Sequence, residues 1–140
     1  MVILANEQRT KTGAAKVVEV IITVFLGLVA LGFFALAVHA WLRMIGFWPG
    51  DANSFDTMDA TWRSYSAVQA VLLPVVAVGL WTGNAWGRVV WFMAVALHCA
   101  AFFTFASGLQ WQLELLIFHG ASLAIYLVLL IVGLIVTKKA

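Results

Sequence analysis

The chain has 140 residues, of which 64% are hydrophobic and 10% are charged, and its formal net charge is +2. A soluble globular domain carries about 25% charged residues, so this composition excludes a water-soluble fold and predicts one integral membrane domain over residues 1–140. The small net charge, with most basic residues near the chain ends, excludes a nucleic-acid-binding surface. A single cysteine, Cys99, excludes an internal disulfide.

Four apolar runs predict four transmembrane helices, because each run is long enough to cross a hydrocarbon core about 30 Å thick. The predicted helices cover approximately residues 17–42, 57–82, 88–106 and 112–136. No run alternates polar and apolar residues as a membrane β-barrel strand does. The expected fold class is therefore all-α, a bundle of four transmembrane helices. The first run is longer than the apolar core of a signal peptide, so we expect it to be retained.

The distribution of lysine and arginine predicts the orientation in the membrane. If the N-terminus is cytoplasmic, four crossings return the C-terminus to the cytoplasm, with six basic residues inside and two outside. The inner six are Arg9, Lys11, Lys16, Arg88, Lys138 and Lys139, and the outer two are Arg43 and Arg63. An excess of Lys and Arg marks the cytoplasmic side, so we expect both termini to be cytoplasmic.

The second predicted helix begins in a polar outer loop and carries an internal proline. Asp59 falls in its first turn, close to the positive end of the helix dipole, and Arg63, four residues later, is spaced to pair with it. Pro74 has no N–H, so the carbonyl of Ala70 loses its helical donor. A bend near these two residues is therefore expected.

A tight inner turn is predicted at WTGNAWGR, residues 81–88. Gly83 and Asn84 tolerate a left-handed backbone, and Arg88 can extend to the inner membrane surface. The Gly-x-x-Trp-Gly-Arg hairpin, Gly83 to Arg88, resembles the central hairpin of several small bacterial four-helix membrane families, which are largely uncharacterised and some of which are DoxX-like. The resemblance implies a multi-pass protein of the bacterial inner (cytoplasmic) membrane, and it carries no active site with it.

Polar side chains inside the spans are the candidate functional residues, because exposing ionisable groups to lipid costs several kcal/mol. Those near helix ends are expected to be interfacial charges: Glu19, Arg88 and Glu114. Those placed deeper are expected to face the interior: His39, Gln69, His98, His119, Ser122 and Tyr126. We expect all three histidines to turn inward and to hydrogen-bond to a polar side chain or a backbone carbonyl. His119, Ser122 and Tyr126 share one stripe of the fourth helix, which predicts a helix–helix contact there.

The leading functional prediction is an accessory or structural subunit that binds other membrane proteins or copies of itself. Loops are short and no catalytic residue set is visible, so an enzyme is not expected, and neither a metal site nor a cofactor is expected. Small residues allow close helix approach. Four glycines in the spans leave flat faces of this kind: Gly27, Gly32, Gly120 and Gly133.

Two alternatives stay open. The first is a redox membrane protein that binds b-type haem or quinone, because two histidines on facing helices at matched depth can hold a haem. His98 and His119 are the expected axial ligands in that case. The second is a small proton-coupled transporter, because Glu19 in the first helix resembles the essential acid of the small multidrug resistance family.

Overall fold

The computed structural model describes the backbone at residues 2–47, 55–104 and 110–138, and the side chains at residues 13–47, 55–104 and 115–138. It contains four helices, α1 (Val2–Met44), α2 (Ala60–Trp81), α3 (Ala85–Thr104) and α4 (Gln110–Lys138). No residue in the described backbone lies in a strand, so the prediction of an all-α, four-helix chain is confirmed. The orientation of the termini stays a prediction.

Each helix contains a segment long and apolar enough to cross a membrane. These segments are Gly13–Met44, Ala60–Trp81, Ala85–Thr104 and Leu115–Lys138. Three helices have their described ends within three residues of the predicted bounds, and methods of defining a helix end themselves differ by one or two residues. The chain therefore has the composition and the helix lengths of a multi-pass membrane protein.

Helix α1 is much longer than its apolar run. It has 43 residues and begins at Val2, whereas the sequence predicted a start near residue 17. At 1.5 Å per residue its length is about 65 Å, roughly twice the thickness of a hydrocarbon core. An apolar run predicts which part of a helix can lie in lipid, but it does not predict the residue at which the helix begins. The polar stretch before residue 17 is rich in good helix formers, so α1 continues through it.

The chain forms two compact units. One, the hairpin unit, is Gly27–Ala100, and the other, the terminal unit, joins Met1–Leu26 to Ala101–Ala140. The core of the hairpin unit combines aliphatic and aromatic side chains with alanines: Phe33, Ala37, Ala70, Leu73, Val76, Trp91 and Ala94. In the terminal unit α1 meets α4, where a Cβ on Gly133 would lie 3.4 Å from Val18 Cγ1.

Two glycines bring α2 and α3 into backbone contact next to the Gly83–Arg88 hairpin. A Cβ on Gly79 would lie 2.6 Å from the Gly87 Cα and 2.7 Å from Trp86 Cζ3, and a Cβ on Gly87 would overlap the Gly79 carbonyl. Gly83 makes the turn itself, with φ of +67°, a conformation that glycine adopts without strain. The hairpin motif is therefore explained by turn geometry and by helix packing.

The start of α2 corrects one sequence prediction. Asp59 is the N-cap, and its Oδ1 accepts a hydrogen bond from the Trp62 amide at 2.9 Å. The Arg63 guanidinium instead donates to the carbonyl oxygens of Phe55 at 3.1 Å and Asp56 at 2.8 Å. The predicted Asp59–Arg63 ion pair is therefore wrong, because the carboxylate and the guanidinium each bind backbone groups of the loop and the first helical turn.

Candidate functional site

The candidate polar residues separate by burial. The interior ones are Gln69, His98, His119, Ser122 and Tyr126, with His119 0% and His98 3% exposed. His39, in contrast, lies on the exposed face of α1. Its predicted inward orientation is wrong, because α1 buries the stripe that contains Ala30, Phe33 and Ala37, and His39 lies about 200° around the helix from Ala37.

One buried polar group lies in the hairpin unit and consists of Tyr65 and Gln69 on α2 and His98 on α3. We call these three residues the Tyr65 cluster. The Tyr65 and His98 rings meet edge to face, with centroids 6.2 Å apart and planes at 81°. Trp62 extends this arrangement, since its ring centroid lies 5.7 Å from that of Tyr65 at 80°. Aromatic rings favour this geometry, so the cluster is held in a defined orientation.

The hydrogen bond of His98 fixes the chemistry of its other ring nitrogen. Nδ1 lies 2.6 Å from the carbonyl oxygen of Ala94, one turn earlier on α3. A carbonyl can only accept, so Nδ1 carries the proton, and Nε2 of the neutral ring presents a lone pair. Because His98 is buried, that lone pair faces the protein interior. His98 can thus accept a hydrogen bond from a hydroxyl group.

Tyr65 and Gln69 add buried polar atoms on the neighbouring helix. Their side chains interact with each other one turn apart on α2. Even so, the Tyr65 hydroxyl and Gln69 Nε2 complete no hydrogen bond within the described part of the chain. Sequence analysis singled out Gln69 and His98 but missed Tyr65. The signal that could have found Tyr65 is its position four residues before Gln69, on the same helical face.

The terminal unit contains a second polar stripe, on α4, where the sequence placed it. His119, Ser122 and Tyr126 are all buried there. The Ser122 hydroxyl donates a hydrogen bond to the Phe118 carbonyl oxygen at 2.6 Å. The centroids of the Phe118 and His119 rings lie 5.7 Å apart. A serine that bonds its own helix is satisfied without a partner helix.

The predicted interfacial charges have different surroundings. Glu19 is exposed on α1, and its backbone carbonyl accepts a hydrogen bond from the Thr23 hydroxyl at 2.9 Å. Arg88 is half-buried at the start of α3. The side chain of Glu114 lies outside the described residues. The exposed position of Glu19 gives no structural support to the alternative in which Glu19 is the essential acid of a proton-coupled transporter.

The question of a metal or haem site rests on the histidines. Within the described residues, no group of three or more His, Cys, Asp or Glu side chains could hold a metal ion. A haem needs only two histidines, and the predicted ligands His98 and His119 belong to different compact units. Haem binding by this pair therefore stays a prediction.

Comparison with known proteins gives a family and no function. No curated protein and no solved structure matches the chain. A family model described as a family of unknown function, DUF6163, matches residues 20–137. The match includes parts of all four helices and the whole Gly83–Arg88 hairpin, while the resemblance to DoxX-like proteins stays an expectation. The chain therefore belongs to the family of unknown function DUF6163.

Proposed function

We propose that this chain is an accessory subunit of the bacterial inner membrane that binds another membrane protein through helix faces left open by its own fold. The observation that carries the proposal is the contrast between packed and open glycines. Gly79, Gly87 and Gly133 each have a neighbouring helix within contact distance of an added Cβ. Gly27 and Gly120, also within spans, have no atom within 4 Å of an added Cβ.

An open glycine inside a spanning helix needs an explanation. Glycine lowers helix stability by about 1 kcal/mol relative to alanine. Membrane helices nevertheless use small residues where another helix approaches, because lipid supplies no hydrophobic driving force and close packing must supply the contact. Three glycines of this chain serve that purpose inside the fold. Gly27 and Gly120 are consistent with the same use between this chain and a partner.

Helix α4 has the more open surface of the two. The apolar segment of α4, which carries Gly120, is 22% buried within the chain, against 28% for that of α1, which carries Gly27. Around Gly120 the exposed face also carries the small side chains of Ala121 and Ala124, bordered by the large exposed residues Ile117 and Val128. A shallow groove between large side chains suits a crossing helix. We therefore place the partner contact on this face of α4.

The test compares two leucine substitutions in tagged protein purified from bacterial membranes in mild detergent. Gly120→Leu fills the open position on α4, and the control Ala96→Leu adds a large side chain at an exposed alanine of α3, outside the proposed contact face. We expect the wild type to co-purify with a partner that crosslinking and mass spectrometry identify. Gly120→Leu should reduce this recovery at least tenfold, and Ala96→Leu should change it less than twofold. A stable monomer with no crosslinked partner contradicts the proposal.

A further inference from the structure

We propose that Arg88 binds the phosphate group of a membrane phospholipid that carries a net negative charge. The proposal depends on α2 and α3 both crossing the membrane, because the hairpin that joins two crossings lies at the level of the lipid headgroups. Arg88 belongs to the hairpin unit, whereas the proposed partner contact on α4 belongs to the terminal unit. The lipid site and the partner contact are therefore separate, and either can fail without the other.

The first argument is that the fold uses the other polar and small residues of the hairpin but not Arg88. Gly83 makes the turn, and the Asn84 side-chain amide donates a hydrogen bond to the Thr82 hydroxyl at 3.0 Å. Gly87 packs against the backbone of α2. Arg88 is half-buried, yet its guanidinium makes no hydrogen bond or ion pair within the described residues. Because proteins pair the cations that they take partly out of water, Arg88 needs an anion.

The second argument is that the hairpin unit supplies no anion at this end. Arg88 is the fourth residue of α3, whose first turn contains no acid, and a cation at this positive end of the helix dipole is disfavoured. The acids of the hairpin unit are Asp51, Asp56 and Asp59, and all three precede α2. Since α2 has 22 residues, it separates them from the hairpin by about 33 Å. The anion that neutralises Arg88 therefore comes from outside this unit.

The third argument concerns the type of anion. A guanidinium donates two parallel hydrogen bonds to a phosphate group. Trp81 and Trp86, on either side of the turn, are 64% and 45% exposed, and exposed indoles at the ends of spanning helices favour the headgroup region. Free inorganic phosphate offers the same oxygen atoms, but it has no acyl chain to contact the exposed side chain of Val89. These neighbours favour a phospholipid as the source of the phosphate.

The net charge of the lipid follows from the unpaired charge of Arg88. Phosphatidylethanolamine carries an ammonium group that neutralises its own phosphate and repels the guanidinium. Phosphatidylglycerol has the same phosphate without that cation. We therefore expect the site to prefer phosphatidylglycerol.

The test measures lipid binding to the purified protein in mild detergent by native mass spectrometry. Phosphatidylglycerol and phosphatidylethanolamine are titrated in separate arms, and millimolar inorganic phosphate is added as a competitor in a third. We expect phosphatidylglycerol to bind at least fivefold more tightly than phosphatidylethanolamine and to resist the competitor. Arg88→Gln should weaken phosphatidylglycerol binding at least fivefold, and Arg88→Lys, which retains the charge, less than threefold. Lys138→Gln is the matched control, because it removes one charge from an exposed position on α4, and it should change binding less than twofold.

Thermal melts of the delipidated protein separate a lipid site from a structural role of the guanidinium. Arg88→Gln should melt at or above the temperature of the wild type, because it removes a cation from the positive end of α3. Phosphatidylglycerol should raise the melting temperature of the wild type but not that of Arg88→Gln. A lower melting temperature of delipidated Arg88→Gln shows that the guanidinium stabilises the fold itself, and it overturns the proposal.

Four binding results would also overturn the proposal. Equal losses in Arg88→Gln and Lys138→Gln show attraction to overall charge, and equal losses in Arg88→Gln and Arg88→Lys show that the charge at this position does not bind the lipid. Equal binding of phosphatidylethanolamine shows no preference for an anionic lipid. Displacement of phosphatidylglycerol by inorganic phosphate shows a site for a free anion.

Discussion

The indole Nε1 of Trp41 donates a hydrogen bond to the carbonyl oxygen of Ala70, with the two atoms 3.0 Å apart. This is the carbonyl that Pro74 leaves without its usual helical donor, because proline has no N–H. In lipid such a group finds no water, so a neighbouring helix must satisfy it. Trp41 on α1 does so, and α2 continues from Ala60 to Trp81 through the proline.

This relationship predicts that Trp41 and Pro74 are energetically coupled. Trp41→Phe removes the donor and should lower the free energy of unfolding by about 1 kcal/mol, the usual net worth of such a hydrogen bond. In a Pro74→Ala background, the new N–H at position 74 bonds the Ala70 carbonyl. Trp41→Phe should therefore lower the free energy of unfolding by less in that background than in the wild type. Reversible unfolding in mixed detergent micelles of the two single variants and the double variant measures this difference.

A control separates the hydrogen bond from the general loss of a tryptophan. Trp81→Phe alters an exposed indole at the end of α2, so its effect should be the same with and without Pro74. If Trp41→Phe is also additive with Pro74→Ala, then the indole does not compensate for the proline.

Sequence reasoning found the need for this bond but not the donor. Pro74 identifies the carbonyl that loses its partner, because the rule depends only on residue type and a spacing of four. Nothing local to α2 identifies Trp41, since the packing angle between α1 and α2 decides which side chain reaches Ala70. His39 shows the same limit. The sequence position of His39 predicts how far along α1 it lies. Whether its side chain points inward depends on which side of α1 packs against the other helices.

The close contact of Gly79 with Gly87 beside the hairpin predicts a large effect of a single added methyl group on stability. Gly87→Ala places a Cβ on the backbone of Gly79, so α2 and α3 must separate, and overpacking of this kind typically costs about 1–3 kcal/mol. Gly120→Ala is the matched control, because its Cβ meets nothing within 4 Å. Since alanine favours helix more than glycine does, Gly120→Ala should stabilise the monomer by up to about 1 kcal/mol.

Thermal melts in detergent, followed by circular dichroism, compare the two glycine variants. The expected order of melting temperature is Gly120→Ala at or above wild type, and Gly87→Ala well below. Equal melting temperatures would show that the close approach of the two helices contributes nothing to stability. The sequence predicted the turn at Gly83 but not this contact, because Gly79 lies outside the hairpin motif and its partner is set by the helix crossing.

The N-cap of α2 gives a prediction with two internal controls. Asp59→Ala removes the carboxylate that accepts from the Trp62 amide, and it should lower stability by about 0.5–2 kcal/mol. Asp59→Asn should retain most of the stability, because asparagine caps about as well as aspartate. Asp56→Ala should change little, since Arg63 binds the backbone carbonyl of Asp56 and not its side chain. Chemical unfolding of the three variants measures the order, and a cost for Asp56→Ala equal to that of Asp59→Ala contradicts the capping role.

The predicted orientation is tested by labelling single cysteines in intact and permeabilised bacteria with a thiol reagent that does not cross membranes. In a Cys99→Ser background, cysteines are placed at three exposed positions, Ala14, Thr57 and Thr137. Because lysine and arginine favour the cytoplasmic side, Thr57→Cys should react in intact cells, and the other two only after permeabilisation.

The labelling pattern also tests the number of crossings. Four spans require the two chain ends to lie on the same side and the loop before α2 to lie on the other. If Ala14→Cys and Thr137→Cys react on opposite sides, one of the four helices does not cross. The setting of the Tyr65 cluster also depends on this result, because its residues lie on α2 and α3 and are surrounded by lipid only if both helices cross the membrane. Labelling of Thr57→Cys alone in intact cells supports both the crossing count and that setting.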